Sequence, residues 1–270
     1  MAKRSLSDLS ALKAKGFEVV FHAHAQAILG VDFPAVLSEL EDVLLALTIP
    51  IEEIIASGGG EAKATQRLRR ALAAKGWSKV KFEINKTING RPRESISHEV
   101  DHVRQFDDKM VALEIEWNNK DPFFDRDLEN FKRLHAEGAI SVGVIVTRGE
   151  TLQNQMEALV SRFVAERQIS SFEDLEKYGY SPTPKQKNAI AARIGRPKDP
   201  VAFSDAFVAK FVSDKFGQAT THWKKLEARI DRGVGNPCPL LLIGLPAGIV
   251  TFNETKAALI EINAPDPSED

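Results

Sequence analysis

An α/β (α+β) fold, a mixed β-sheet core flanked by helices, is the architecture to expect of this chain, on three grounds. AISVGVIVT (139–147) and PLLLIGL (239–245) are short, nearly continuous apolar runs of the kind that form buried central strands. Leu128, Phe131, Leu134 and His135 recur at helical spacing, so a helix leads into the first of those runs. In SHEVDHVRQFDDKMVALEIEW (97–117), strand-like stretches stand on either side of Asp107-Asp108, which reads as a hairpin.

Along the chain, residues 32–56 are expected to be helical, with Leu37, Leu40, Val43, Leu44 and Leu47 on one stripe and Pro50 opening a second short helix. SGGGEAKATQRLRRALAAKGW reads as a glycine loop, a helix over 61–74 and a stop at Gly76. Strands are expected at 80–84, 97–106 and 110–117. A helix over 124–137 ends at Gly138 and is followed by the 139–147 strand and a helix over 152–166. Residues 169–196 are polar and broken by SPTPK, and helices follow at 202–216 and 222–232. The expected division is a core of 1–168 and 233–262, a helical insertion at 169–232, and a disordered acidic tail, NAPDPSED, at 263–270.

Composition is that of an ordinary globular protein: of 270 residues, 43% are apolar and 27% charged. The longest apolar run, 239–250, is broken by Gly244 and Pro246 and is too short for a bilayer. The start, MAKRSLSDLSALKAKG, is charged and lacks the apolar centre of a signal peptide, and the one cysteine, Cys238, suits a reducing cytoplasm. Cys238 lies between prolines ahead of a buried strand, a poor setting for a nucleophile. The net charge of −2 conceals a segregation: 61–93 carries +8 and 181–232 carries +6, leaving −16 elsewhere. Two basic segments on an acidic chain point to a localised polyanion surface, although each alone is also what a solvated helix face looks like.

The chemistry is concentrated in VALEIEWNN (111–119). Side chains alternate along a strand, so Val111, Leu113, Ile115 and Trp117 face one way and Ala112, Glu114 and Glu116 the other. Like charges on a buried face are costly unless a cation lies between them. With a two-residue turn at Asp107-Asp108, Phe106 faces Lys109 and Asp101 falls opposite Glu114, on the same side of the sheet. Three carboxylates, Asp101, Glu114 and Glu116, then converge, and an all-oxygen cluster suits a hard divalent cation such as Mg²⁺. The plainer alternative is a strand with one solvated face.

Asp101 followed by Glu114-Ile115-Glu116 resembles the PD-(D/E)XK nuclease motif, with glutamate where lysine is usual. The string SHEVDHVRQFDDKMVALEIEWNNKDPFFDRDLENFKRLHAEGAISVGVIVTRG is similar to the BamHI/BglII-like group of type II restriction endonucleases, nearer its BglII-like side. GGGEAKATQRLRRALAAKGW, KFGQATTHWKKLEARIDRG and PCPLLLIGL share the likeness, which covers about residues 55–150 and 215–245. The resemblance implies a restriction-endonuclease-like fold and sequence-specific hydrolysis of double-stranded DNA. It also implies Mg²⁺ (one or two ions) held by Asp101 and Glu114, and a Glu116 that orients or deprotonates the attacking water. A homodimer matched to a palindromic site and a methyltransferase acting on the same site are implied too.

Glu61, at a helix start, is a further catalytic candidate, though acidic residues also favour a first turn for the helix dipole. Lys63, Gln66, Arg67 and Arg70 extend along that helix toward phosphate, with Lys63 and Arg67 one turn apart. Asn118, Asn119 and Lys120 follow the strand directly. Thr220, Thr221, His222, Lys224 and Lys225 stand at a helix start where donors meet DNA. Asp125 with Arg126 reads as a local ion pair, and His98 and His102 as facing away from Asp101. Trp77, Trp117 and Trp223 read as core or subunit-interface residues, and the helix over 124–135 as a dimer contact. The other readings are a structure-specific or repair nuclease of the same fold and a non-catalytic DNA-binding regulator, for which the basic, helix-rich 185–232 would serve.

Overall fold

The computed structural model describes residues 8–57 and 61–252, apart from the side chains of Glu94 and Ile96. The glycine loop at 58–60 and the tail at 263–270 lie outside the described residues. The strands are β1 (Glu18–His22), β2 (Ile49–Pro50), β3 (Ser78–Ile88), β4 (Arg91–Phe106), β5 (Lys109–Glu116), β6 (Val142–Arg148), β7 (Leu240–Leu245) and β8 (Val250–Thr251). The helices are α1 (Ser10–Ala14), α2 (Ala25–Asp32), α3 (Pro34–Leu45), α4 (Ile51–Ile55), α5 (Lys63–Ala74) and α6 (Phe123–Ala136). They continue with α7 (Glu150–Glu166), α8 (Phe172–Glu176), α9 (Pro184–Ile194), α10 (Phe203–Phe216) and α11 (Trp223–Ile230).

Six strands form one mixed sheet in the order β1-β7-β6-β5-β4-β3, and β2 pairs with β8 in a separate two-stranded unit. The centre, β5-β6-β7, is parallel, which accounts for its apolar runs: every residue of β6 and of β7 is buried. Alternation along β5 divides the interior into two layers. Val111, Leu113 and Trp117 pack with α3, α5, α7 and α10, while Ala112 faces the layer built from Phe124, Leu128, Phe131 and Leu134 of α6 and Trp223 and Leu226 of α11. Helix α6 lies so close to β6 that a Cβ on Gly143 would overlap the Phe131 ring.

The hairpin register is the one expected from a two-residue turn: Phe106 pairs with Lys109, and the ladder runs to His102 opposite Leu113. Two expectations are corrected. The helix expected over 32–56 is divided into α3, β2 and α4, with a separate helix, α2, ending at Asp32, because Pro34 begins a fresh helix and Ile49-Pro50 extends to pair with β8. Strand β1 (EVVFH) is an addition; it pairs antiparallel with β7 at the sheet edge. Segment 172–216 packs its Leu175, Tyr180, Ile190, Phe207, Phe211 and Phe216 into the same core layer as α7. The three tryptophans are buried, as is the apolar stripe of α6 within its own sheet. The Cys238 thiol is buried too, and burial pushes it up to about 12. Among the described residues, no helix is long and apolar enough to cross a membrane.

Candidate active site

The pairing of β4 with β5 ends at His102–Leu113, and the rest of β4 pairs with β3 alone. The last residues of β5, Glu114 to Glu116, therefore have β6 on one side and an opening in the sheet on the other. Such a divergence at the carboxyl end of a parallel strand is where open sheets bind ligands. A β-bulge sharpens it: Ser78 pairs with Val103 but Val80 with Val100, so Asp101 and His102 together oppose Lys79. Asp101 stands one step beyond the ladder, about half exposed, with Lys79 Nζ at 3.2 Å and the same ammonium at 3.0 Å from Glu99. His102 is turned inward, its Nδ1 3.3 Å from the Leu113 carbonyl oxygen. Burial lowers it to about 4, so it is a neutral spacer.

A cleft of about 500 Å³ opens at this point, lined by Glu61, Thr65, Arg69, Lys79, Asp101, His102, Ile115, Trp117, Asn118 and Asn119. It brings together Asp101, Glu61 and the two asparagines that follow β5. Glu61 lies just ahead of α5 and pairs with Arg69 at 3.2 Å. Gln66 is buried and donates to the Glu61 carbonyl oxygen at 3.0 Å. Lys63 opens α5, on which Arg70 also lies. Arg67 faces elsewhere: it is clamped to the buried Glu53 and donates to the Thr48 carbonyl oxygen at 2.8 Å. That clamp lines a separate cavity of about 510 Å³ between α3 and α5. Lys63 and Arg67 therefore do not act as one phosphate-facing row.

The three acids expected on one patch are divided between the layers: the bulge leaves Asp101 at the cleft, whereas Glu114 (5% exposed) and Glu116 (2%) point toward α6, where the fully buried Asp127 meets them. The Asp127 and Glu116 carboxyls lie within hydrogen-bonding contact of each other. Asn119 Nδ2 donates to Glu116 Oε2 at 2.9 Å, and Arg126 Nη2 lies 3.7 Å from Glu116 Oε1 and 2.8 Å from Asp127 Oδ1. Loss of solvent dominates here: burial, then Asp127, then Asp101, push Glu114 up to about 9, and burial and Asp127 raise Glu116. Arg126, read from the sequence as the partner of Asp125, instead serves this pair, while Asp125 binds Arg229 at 3.1 Å. Asp127 was legible in principle. It sits between Phe124 and Leu128 on the inward stripe of α6, a place a merely solvated charge does not take.

The segments after β5 and before α11, separate candidates in the sequence, are joined. Lys120 bridges Thr220, Thr221 N–H donates to the Asn119 carbonyl oxygen at 2.8 Å, and Asp121 N–H to that of Ala219 at 3.0 Å. Arg148, at the end of β6 and fully buried, holds both: it donates to the Trp117 carbonyl oxygen (2.7 Å), Thr220 Oγ1 (2.6 Å) and the Thr221 carbonyl oxygen (2.6 Å). Its guanidinium lies 5.0 Å from the Phe216 ring centroid. Thr221 and His222 are buried, whereas Lys224 and Lys225 pair with Glu150 (2.8 Å) and Asp121 (3.5 Å) at the surface.

Carboxylate oxygens at the open end of a parallel strand, next to asparagine and lysine side chains, are what hydrolysis of an anionic ester calls for. The sequence profile of the restriction endonuclease BglII/BglIII family matches residues 17–245, from the end of α1 through β7. The chain belongs to this family. It is accordingly a type II site-specific deoxyribonuclease, a hydrolase of restriction–modification whose substrate is DNA, and enzymes of the BglII/BglIII family are typically dependent on a divalent metal. The match extends well beyond the two stretches that carry the resemblance in the sequence. No curated relative matches the chain.

For such a cation the donor chemistry fits. Glu114, Glu116 and Asp127 offer hard oxygen ligands, and Asp127 Oδ2 is buried with no hydrogen-bond donor. Among the described residues no group of three His, Cys, Asp or Glu side chains is placed to hold a metal ion.

Proposed function

We propose that this family member cleaves both strands of DNA at a short palindromic site in a Mg²⁺-dependent reaction, acting as a homodimer. The observation that carries the reading is the charge imbalance at the open end of β5. Buried Glu114 and Glu116, with Asp127, have the half-exposed Arg126 as their near cation. Acids buried in that proportion give up their protons only when a second positive charge stands beside them, and a hard divalent ion is the one their oxygens suit.

In this reading Asp101, at the edge of the cleft, and Glu114, from the enclosed layer beneath α6, hold the cation between the two strands that part there. Bound there, Mg²⁺ supplies an acidified water and neutralises charge on the phosphate oxygens. Glu116, held by the Asn119 amide, orients the attacking water and takes up its proton. Lys120, Lys224 and Lys225 meet the DNA backbone, with Asn118, Thr220, Thr221 and His222 close behind them, and Glu61 supports the cleft from α5. A two-fold dimer presents two such sites to the two strands of a palindrome. A methyltransferase modifying the same site protects the host's DNA.

Purified protein incubated with unmodified plasmids, with Mg²⁺ or with EDTA, tests this. Discrete fragments formed with Mg²⁺ alone are expected, and Glu114→Gln and Asp101→Asn should abolish them while a gel shift persists. A smear would favour a structure-specific nuclease. Binding without cleavage across several plasmids and divalent ions would leave a non-catalytic regulator.

A further inference from the structure

We propose that Asp127 is a third buried carboxylate of the divalent-cation site, and that Arg126 neutralises the Glu116–Asp127 pair when no metal is bound. The inference rests on the metal-dependent reading above and adds a residue from α6 to it.

Three observations converge on Asp127. Its side chain is fully buried, on the inward stripe of α6 between Phe124 and Leu128, so its carboxylate was carried into the layer that Glu114 and Glu116 face. Its Oδ2 is buried with no hydrogen-bond donor, although Oδ1 receives Arg126 Nε at 2.8 Å. It touches Glu116, and its charge acts on Glu114 more strongly than that of Asp101 does. A carboxylate kept only to anchor an arginine would spend both oxygens on the guanidinium, as Glu53 does with Arg67. Asp127 gives the guanidinium only Oδ1 and leaves Oδ2 buried without a donor beside the Glu116 carboxyl.

Arg126 fits a displaceable counter-charge. Its side chain is 51% exposed and lies over the exposed-side ring of Phe123, 4.4 Å from the centroid, whereas the acids it serves are enclosed. A guanidinium in contact with both Glu116 and Asp127 competes with any cation that needs the same oxygens. Removing the arginine should therefore help a metal ion, and removing Asp127 should hurt it. If Asp127 merely anchored Arg126, neither change would act on metal affinity in that way.

The opposed signs give the test: Mn²⁺ titration of the full chain without DNA, followed by calorimetry and by the free-ion electron paramagnetic signal. Asp127→Asn should weaken Mn²⁺ binding at least tenfold, Arg126→Gln should strengthen it several-fold, and Glu129→Gln on the outer face of α6 should leave it unchanged. Asp127→Asn binding as the parent does, or Arg126→Gln binding equally or more weakly, would overturn the proposal. Should Asp127→Asn fail to fold, as judged by its circular dichroism, the half-exposed Arg126→Gln decides alone. Loss of binding in Glu114→Gln with full binding in Asp127→Asn sinks only this inference. No Mn²⁺ binding by the parent chain sinks the metal-dependent reading as well.

Discussion

Two groups of acids flank the end of β5, and they are neutralised differently. In the cleft, Asp101 and Glu99 share Lys79 and Glu61 pairs with Arg69, all substantially in water. In the layer beneath α6, Glu114, Glu116 and Asp127 are enclosed around a single arginine. Exposed pairs of the first kind contribute only about 0–1 kcal/mol each. Enclosed, under-neutralised acids cost stability instead, and they persist because something other than stability keeps them. In the proposed reading the chemistry lies where the buried group comes nearest Asp101, and the exposed cations Lys79 and Arg69 are the ones able to meet a polyanion.

The largest effect that could break this contrast is on turnover. Glu114→Gln should lower the cleavage rate by about a thousandfold or more in a plasmid assay, the scale expected when a metal ligand or charge-stabilising group is lost. The metal-free protein should at the same time gain thermal stability at pH 8, because the folded chain no longer holds there a proton that the unfolded chain releases.

Next in size is Arg148→Leu. It leaves the buried carbonyls of Trp117 and Thr221 without donors, at about 1–3 kcal/mol per group. A fall in melting temperature of roughly 4–24 °C is expected, at about 2–4 °C per kcal/mol for a chain of this size. Unchanged melting would mean that the junction it holds is not structural.

The pH dependence sharpens the comparison. Glu114 titrates near its ordinary value when unfolded and at about 9 when folded, so between those limits the folded chain holds the extra proton. Stability of the metal-free protein should therefore fall as pH rises from about 4.5 toward 9. Millimolar Mg²⁺ should restore it most at the alkaline end, and Glu114→Gln should flatten the slope in calorimetric scans. Smallest of all, Lys79→Ala should change unfolding free energy by less than about 1 kcal/mol, because its pairs are exposed. A large loss there would erase the distinction between the two groups.

Much of this was written in periodicity. The alternation of 111–117 and the Asp107-Asp108 turn determine the β4–β5 register, since a shift of one residue would expose Val111 and Leu113. The apolar runs at 139–147 and 239–245 could scarcely be anything but central strands. The bulge at Asp101–His102 was not legible, because an inserted residue disturbs pairing without disturbing the hydrophobic pattern. Arg148 closes an apolar strand and reads as its polar end; only the fold reveals that the chain returns at Thr220 and Thr221 to cover it. Asp127 was hidden by its neighbours, since DRD resembles a solvated charge run until the helix phase set by Phe124 and Leu128 is applied. Strand β1 is short, half-buried and at an edge, so its weak signal gave way to longer patterns.

The junction between 117–121 and 217–222 constrains anyone wishing to redesign this molecule. Transplanting either stretch from a cousin without the other would strand the Asn119 carbonyl, the Thr221 amide and two of the Arg148 donors at once. Chimeras should therefore exchange both stretches together with residue 148, as one inheritable cassette.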